Sequence, residues 1–560
     1  MFMKTKSRII ITLMSIIIGF SCAKITDEPV DFNAVDVTLV DSLFVKNYIS
    51  SIYNYVPSGY NRLQNSMLDA STDLAVNSFS GSPAFLIGTG SWGSGDNPDD
   101  VWASNYQGIR AVNIYFRDIE PNLVPPLFTS QQYINELTGQ AYFLRALFYS
   151  ELAKRYGGVP IVEEVFVAGQ VVEIERASYD NTIQYISEQF DRAADLLPVR
   201  YQNNNATDFG RATKGAALAL KSRMLLYAAS PLFNDPENSD QNPWSGVFDA
   251  QKWEDAADAA YSVIELNEYV LNDRYFRYFI QMDSDNKEMI FNRISTPSNN
   301  IERINGPTGF TGGMGATNPS LNLVNEYFMK DGTSFDWNNP DHAENPWENR
   351  ENRFAGSIIH NGREWMGREI ETFEGGADMQ SVNSTRTGFY LRKFLDGNAR
   401  WFGGETGVGN HSWPIIRYAE VLLNFAEAMN EAYGPYQDPA GYGMNAVQAV
   451  EMIRERALMD PYQLPEGLDQ NQLREMIHRE RKIELAFEEH RPFDLRRWKK
   501  AMDILNQPVK GLRIIKDEEE NYSYEIFDAE NRSFSERMYL YPIPQSEVDK
   551  NPLLLQNPGW

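Results

Sequence analysis

Cysteine is all but missing. Cys22 is the single one in 560 residues, so no disulfide can form within the chain and no multi-thiol metal site can be built. Histidine is nearly as scarce. The five are His342, His360, His411, His478 and His490; none pair at metal-ligand spacing, and HExxH is absent. No nucleophile elbow stands out. Long apolar runs are lacking too: beyond residues 9–20, no segment approaches the ~20 apolar residues that cross a bilayer. Positive charge is in deficit. Lysine and arginine total 51 against 77 aspartates and glutamates, a net charge of −26 with no basic stripe, which excludes a nucleic-acid-binding surface. GTGSWG at 88–93 has the form G-x-G-x-x-G, but SGDNPDD follows it instead of an opening helix, so it reads as a glycine-rich surface loop. What the chain does hold is 42% hydrophobic and 13% aromatic residues, enough for a large buried core.

The N-terminus is an export address. Lys4, Lys6 and Arg8 precede the short apolar run IIITLMSIIIGF, and Ser21-Cys22 follows at the expected cut. A lone thiol at that position is similar to a bacterial lipobox, whose cysteine is acylated and becomes the mature N-terminus. The domain reading is residues 1–21 as lipoprotein signal peptide and 22–560 as one domain. Two or more acyl chains on Cys22 hold such a protein stably on a membrane, at about 0.8 kcal/mol per buried CH₂.

Helical periodicity dominates the rest. Ile134, Leu137, Ala141, Leu144, Phe148 and Leu152 fall on one helix face, as do Tyr179, Ile183, Ile186, Phe190, Ala193 and Leu197 behind the N-cap candidate Ser178. Trp102, Tyr106 and Ile109 share a face and are assigned to the core. The alanine-crowded segment 212–229 and the set Trp253, Ala257, Ala260 and Ile264 allow close helix approach. Tyr418, Val421, Leu422, Phe425 and Met429 mark a further helix. The predicted fold is mostly α: a tetratricopeptide-like helical-repeat scaffold with a large irregular, loop-rich, ligand-facing region and few short strands.

Two stretches break the pattern, residues 77–100 and 272–411, both rich in glycine and asparagine; together they are expected to form one ligand-facing lobe. A tail from about 510 onward is expected to wrap the body. Aromatic rings in irregular segments offer apolar faces to sugar C–H groups or peptide side chains. The ligand-contact candidates are therefore Trp92, Tyr275, Trp337, Trp347, Trp365 and Trp401. The second stretch also holds Arg350, Arg353, Arg363, Arg368, Arg386, Arg392 and Arg400, either a basic bias toward acidic ligands or ordinary salt-bridging with nearby carboxylates. Glu480 and Glu484 stand four apart on a predicted helix at 469–489. Both project the same way from one helix, unlike glycosidase carboxyls across a cleft, so they read as buried carboxylates held by Arg481, Arg491, Arg496 and Arg497.

Several long segments in order carry a resemblance. They are AYFLRALFYSELAKRYGGVPIV (141–162), ATKGAALALKSRMLLYA (212–228), YLRKF (390–394), PIIRYAEVLLNFAEAMNEA (414–432), IRERA (453–457), ERKIELAFEEHRPFDLRRWK (480–499) and YPIPQSEVDKNPLLLQNPGW (541–560). The chain resembles the SusD/RagB-like outer-membrane lipoproteins of the Bacteroidetes. The resemblance implies a protein lipid-anchored at the outer face of the outer membrane, without enzymatic activity, cofactor or metal. It binds oligosaccharides or, in some lineages, peptides, and passes them to a SusC-type TonB-dependent transporter over whose barrel it sits. The conserved-looking motifs then belong to the scaffold, Glu480, Glu484, Arg496, Arg497 and Trp498 among them, and none maps a ligand residue. Two readings from other classes stand beside this one. A surface glycoside hydrolase or peptidase would release new ends from polymer; a scaffold binding only protein would bind no small ligand.

Overall fold

The computed structural model describes residues 42–560 apart from 124–129, 168, 171, 202–207, 238–243, 245, 277–278, 281–285 and 405–406. Residues 1–41, with the predicted signal peptide and Cys22, lie outside the described residues. Ten helices build the scaffold: α1 (Ser42–Ile52), α2 (Trp102–Ile114), α3 (Gln131–Tyr156), α4 (Tyr179–Leu196), α5 (Lys214–Ala229), α6 (Gln251–Glu265), α7 (Tyr418–Tyr433), α8 (Ala446–Arg456), α9 (Gln470–Glu484) and α10 (Arg491–Arg497). Each of α2 to α5 packs on the next, α6 packs on both α5 and α7, and α7 packs on α8 and α9. This is the stacked helical-repeat arrangement the periodicity predicted.

Local sequence sets the helix starts. The hydroxyls of Ser130, Ser178 and Thr213 accept from backbone N–H groups three residues on, capping α3, α4 and α5. Asn445 with Gln448 and Asp469 with Gln472 form reciprocal capping boxes on α8 and α9. The expected apolar face of α3 is buried, but so are Phe143, Leu147 and Tyr149 on its other sides, because α3 lies between α2 and α4. Trp102 is in the core as expected, its ring 4.9 Å from Tyr106 and 5.1 Å from Tyr156.

The strands are short and, among the described residues, occur only as two-stranded pairs. β2 (Met289–Ile294) pairs antiparallel with β4 (Ser412–Arg417), so the long irregular stretch leaves and re-enters the body at neighbouring points. β1 (Ala75–Asn77) pairs with β3 (Thr317–Pro319), Val76 opposite Asn318, which joins the start of the first irregular stretch to the middle of the second. β5 (Val509–Lys516) and β6 (Tyr522–Glu530) form a hairpin with a bulge near Asp528. The tail then runs back across α3: the Tyr541 amide donates to the Arg155 carbonyl at 2.7 Å, and the Asn557 side chain donates to the carbonyls of Tyr156 and Tyr541. No helix among the described residues is long and apolar enough to cross a membrane.

Candidate functional site

The six aromatic candidates do not line one groove. Trp92 is buried between Tyr541, 5.2 Å away, and Trp560, at 4.8 Å, beneath the tail. Tyr275 is buried at the end of α9, its hydroxyl donating to the Glu484 carbonyl at 3.0 Å. Neither presents a ring face to solvent. Trp337 donates its indole N–H to Asn325 and packs edge-on to Phe335, while Trp347 stacks on His360 at 4.9 Å; both rings also meet Tyr524 of β6. These two are half-buried props for the β5–β6 hairpin. Trp365 is buried within a small hairpin made by Glu364–Trp365 and Arg368–Glu369. Trp401 is half-buried and meets that hairpin through Phe310, whose ring lies under Arg368.

Around Trp401 the structure assembles rings that single-residue reading missed. Phe310 and Phe402 stack at 4.6 Å, and the Trp401 ring stands edge-on to both, 6.2 Å from Phe310 and 5.1 Å from Phe402. The indole N–H donates to the Thr311 carbonyl at 3.1 Å, which fixes the ring plane. Gly306 makes room: a Cβ there would sit 2.4 Å from the indole carbons. The Arg368 guanidinium lies 4.1 Å over Phe310 and is clamped by both Asp378 oxygens at 2.7 and 2.8 Å. Exposed Thr311, Gly312, Gly403 and Gly404 border this cluster, so its rim faces solvent. The signal in the sequence was the Trp401-Phe402-Gly-Gly run, an aromatic pair followed by chain-reversal residues. Two clefts of about 380 and 370 Å³ open on the helical scaffold, one by Tyr133 and Arg211 and the other by Trp253 and Trp498; none of the six candidates lines them.

The paired carboxylates of α9 are structural, but the arginines holding them come from elsewhere. Glu480 accepts from Arg353 at 2.5 Å. Glu484 accepts from Arg353 at 3.1 Å, from Arg417 at 2.6 Å and from Arg456. Arg417 also binds Glu288 and Glu488, each at 2.8 Å, and Lys393 binds Glu488 at 2.7 Å. All of these side chains are buried. The neighbours expected as partners bind other groups: Arg481 and Arg497 hold Asp494, Arg497 also holds Glu427, and Arg491 holds Asp73, while Arg496 donates to the carbonyls of Met538 and Pro492. Burial pushes the Glu484 carboxyl upward, but the charges of Arg456, Arg417 and Arg353 outweigh it and hold it well below the ordinary range. A carboxylate held by three guanidiniums and sealed from solvent is not within reach of a substrate for proton transfer.

The glycine motif closes a helix instead of opening one. Pro83–Gly88 is capped by Ser82 and ends where the motif begins, and Asp96 accepts from the Gly93 amide at 2.7 Å in the turn that follows. That order is the reverse of a dinucleotide-binding fingerprint. Among the described residues, no group of three or more His, Cys, Asp or Glu is placed to hold a metal ion.

Stacked helical repeats carrying a closed irregular lobe define the class of protein. The chain belongs to the SusD family, whose model matches residues 268–560; a second family model, described as starch-binding and associating with the outer membrane, matches residues 37–226. SusD-like protein P2 of Formosa agariphila is 28% identical over 459 residues, 76% of this chain and 74% of that protein. A solved SusD-like protein from Bacteroides fragilis superposes with a TM-score of 0.77 at 29% identity, covering 94% of this chain and 99% of that one. A SusD-like carbohydrate-binding protein from the same organism has the same fold, with a TM-score of 0.75 at 24% identity over 91% and 98% of the two chains.

The charge network makes two predictions. Glu484→Gln, which leaves three guanidiniums without their common counter-charge, costs about 3–5 kcal/mol of unfolding free energy in a denaturant titration; an unchanged midpoint would contradict the structural role. Acid lability follows from carboxyls depressed in the folded state. Burial raises Asp73 and Glu151, but Arg491 holds the first, and Lys154 with Arg155 the second, at about 2. Their stabilisation is therefore complete above the unfolded-state range near 4 and is lost as pH falls from there toward 2. The difference in denaturant midpoint between wild type and Asp73→Asn should be constant from pH 7 to 5 and shrink below about 4.5.

Proposed function

We propose that this protein is a non-enzymatic, lipid-anchored binder of oligosaccharides at the outer face of the outer membrane, which hands its ligand to a SusC-type TonB-dependent transporter. The observation that carries the binding part is the pair of half-buried rings Trp401 and Phe402, backed by buried Phe310 and held by Gly306, the Thr311 carbonyl and Arg368 at a solvent-facing rim. Rings fixed in this way lose little entropy on binding and give a sugar ring an apolar face to lie on. Family membership supports the reading, as does the carbohydrate-binding relative of the same fold. The sealed α9 carboxylates speak against the glycosidase alternative at that site. Anchoring at Cys22 would raise the effective ligand concentration at the transporter mouth, so modest affinity suffices.

In calorimetric titrations of the purified protein against neutral and acidic oligosaccharides and peptides, Trp401→Ala with Phe402→Ala should weaken glycan binding at least about tenfold, or 1.4 kcal/mol, while circular dichroism shows the fold retained at the assay temperature. Unaltered glycan affinity would remove the platform from the binding site, and new reducing ends would remove the non-enzymatic reading. Mass spectrometry of the membrane-extracted protein should show an N-terminus at Cys22 carrying acyl chains, with Cys22→Ser leaving the membrane fraction. An intact leader would overturn the anchor.

A further inference from the structure

The seven arginines of the long irregular stretch sort into two groups. Arg353, Arg368 and Arg386 bind carboxylates, of Glu351 and Glu480, Asp378, and Glu530. Arg350 is buried and donates to the carbonyls of Pro346, Val324 and Tyr327. Arg363, Arg392 and Arg400 form no ion pair among the described residues. They gather around the 364–369 hairpin, beside the aromatic platform. Arg363 donates to the Ile358 carbonyl at 2.8 Å and Arg392 to the Leu395 carbonyl at 2.5 Å. Each five-donor fork therefore spends one N–H on a neutral acceptor and keeps the others. Arg392 lies 4.5 Å over the Trp365 ring and 5.4 Å from the Phe276 ring. The Arg400 guanidinium approaches Gly367 at the hairpin tip, within 3.8 Å of where a Cβ would stand. Trp365 adds a buried indole N–H with no acceptor. All three arginines are half-buried and so partly open to solvent.

We infer that Arg363, Arg392 and Arg400 form an oxyanion subsite beside the Phe310–Trp401–Phe402 platform, which takes a sulfate ester or carboxylate carried by the glycan. The inference rests on the proposed glycan-binding role and narrows its ligand class. Other arginines also lack an ion pair, Arg350 and Arg496 among them, but these three gather around one hairpin, and among the described residues no carboxylate lies within ion-pair distance to offset their repulsion. Burial and then the Arg363 charge depress the Arg392 guanidinium; Asp396 and Glu302 oppose this only from beyond ion-pair distance. A carboxylate or sulfate-ester group, each presenting at least two oxygens, would supply the missing counter-charge by accepting from two forks. Arg368, bridging Phe310 and Asp378, links the platform and the subsite across the hairpin.

The test titrates the purified full chain with size-matched neutral, sulfated and uronate oligosaccharides at two salt concentrations. The wild type should bind one anionic series at least tenfold more tightly than the neutral one, with affinity falling as salt rises; which series does so separates sulfate from carboxylate. Arg363→Gln with Arg392→Gln should abolish that preference and its salt dependence while leaving neutral-glycan affinity within twofold. Arg400→Gln, on the hairpin's flank, should lower the preference several-fold, and it serves as the readout if the double variant does not fold. Equal binding of neutral and anionic glycans by the wild type would overturn the subsite and leave the glycan-binding role standing. So would a preference that both variants retain. Absence of binding to any glycan would overturn both.

Discussion

The Glu484 carboxylate is the point to which the rest of the fold is tied. It ends α9, and its three guanidinium partners arrive from Arg353 in the irregular lobe, Arg417 at the junction of β4 and α7, and Arg456 at the end of α8. Arg417 extends the tie to Glu288, just before β2, and to Glu488 beyond α9. One buried ionic knot thus pins both ends of the 272–411 excursion and two scaffold helices. Desolvating so many charges is costly, and a packed apolar cluster would offset as much. The knot adds directionality. A guanidinium fork accepts few geometries, so a lobe with little regular secondary structure is set at one angle to the helices. An aromatic platform built from loops is only as rigid as that attachment.

The scaffold was legible because its determinants are local. Ser178 caps the helix that its spacing suggested, and the faces of α3 and α4 follow from 3.6-residue periodicity. The ionic knot was legible only in kind. Glu480 and Glu484 read as arginine-held, yet the nearest arginines in sequence serve Asp494, Glu427 and Asp73, while Arg417 and Arg353 lie 67 and 131 residues from Glu484. Sequence distance ranks partners only within one helix face. Across a lobe that leaves the body at β2 and returns at β4, it ranks nothing.

Ring placement shows the same boundary. An irregular segment announces that its aromatics are not on a helix face, but not whether another segment covers them. Trp92 looked exposed in a glycine-rich loop, yet the tail from the far end of the chain brings Tyr541 and Trp560 over it. Trp337 and Trp347 are claimed by Tyr524 in a hairpin nearly 200 residues on. Trp401 keeps an open rim where its neighbours Gly403 and Gly404, both exposed and at positive φ, carry no side chain to cover it. Phe310 joins it only through tertiary structure.

The arginine population separates what folding needs from what it leaves over. With 77 acidic side chains against 51 basic ones, carboxylates are plentiful, and most of the buried arginines are held by one, while Arg350 and Arg496 spend their donors on backbone carbonyls. Arg353 and Arg417 are multiply bonded and sealed. Arg363, Arg392 and Arg400 share the same stretch of chain and the same acidic surroundings, so composition does not account for their forming no ion pair among the described residues. What differs is position. They surround a two-strand hairpin at the lobe's surface, where backbone carbonyls and rings satisfy only part of each fork. The hairpin itself carries Glu364 and Glu369, opposite one another, and among the described residues neither forms an ion pair with the three arginines, so proximity in sequence does not decide their pairing and the placement of each fork does.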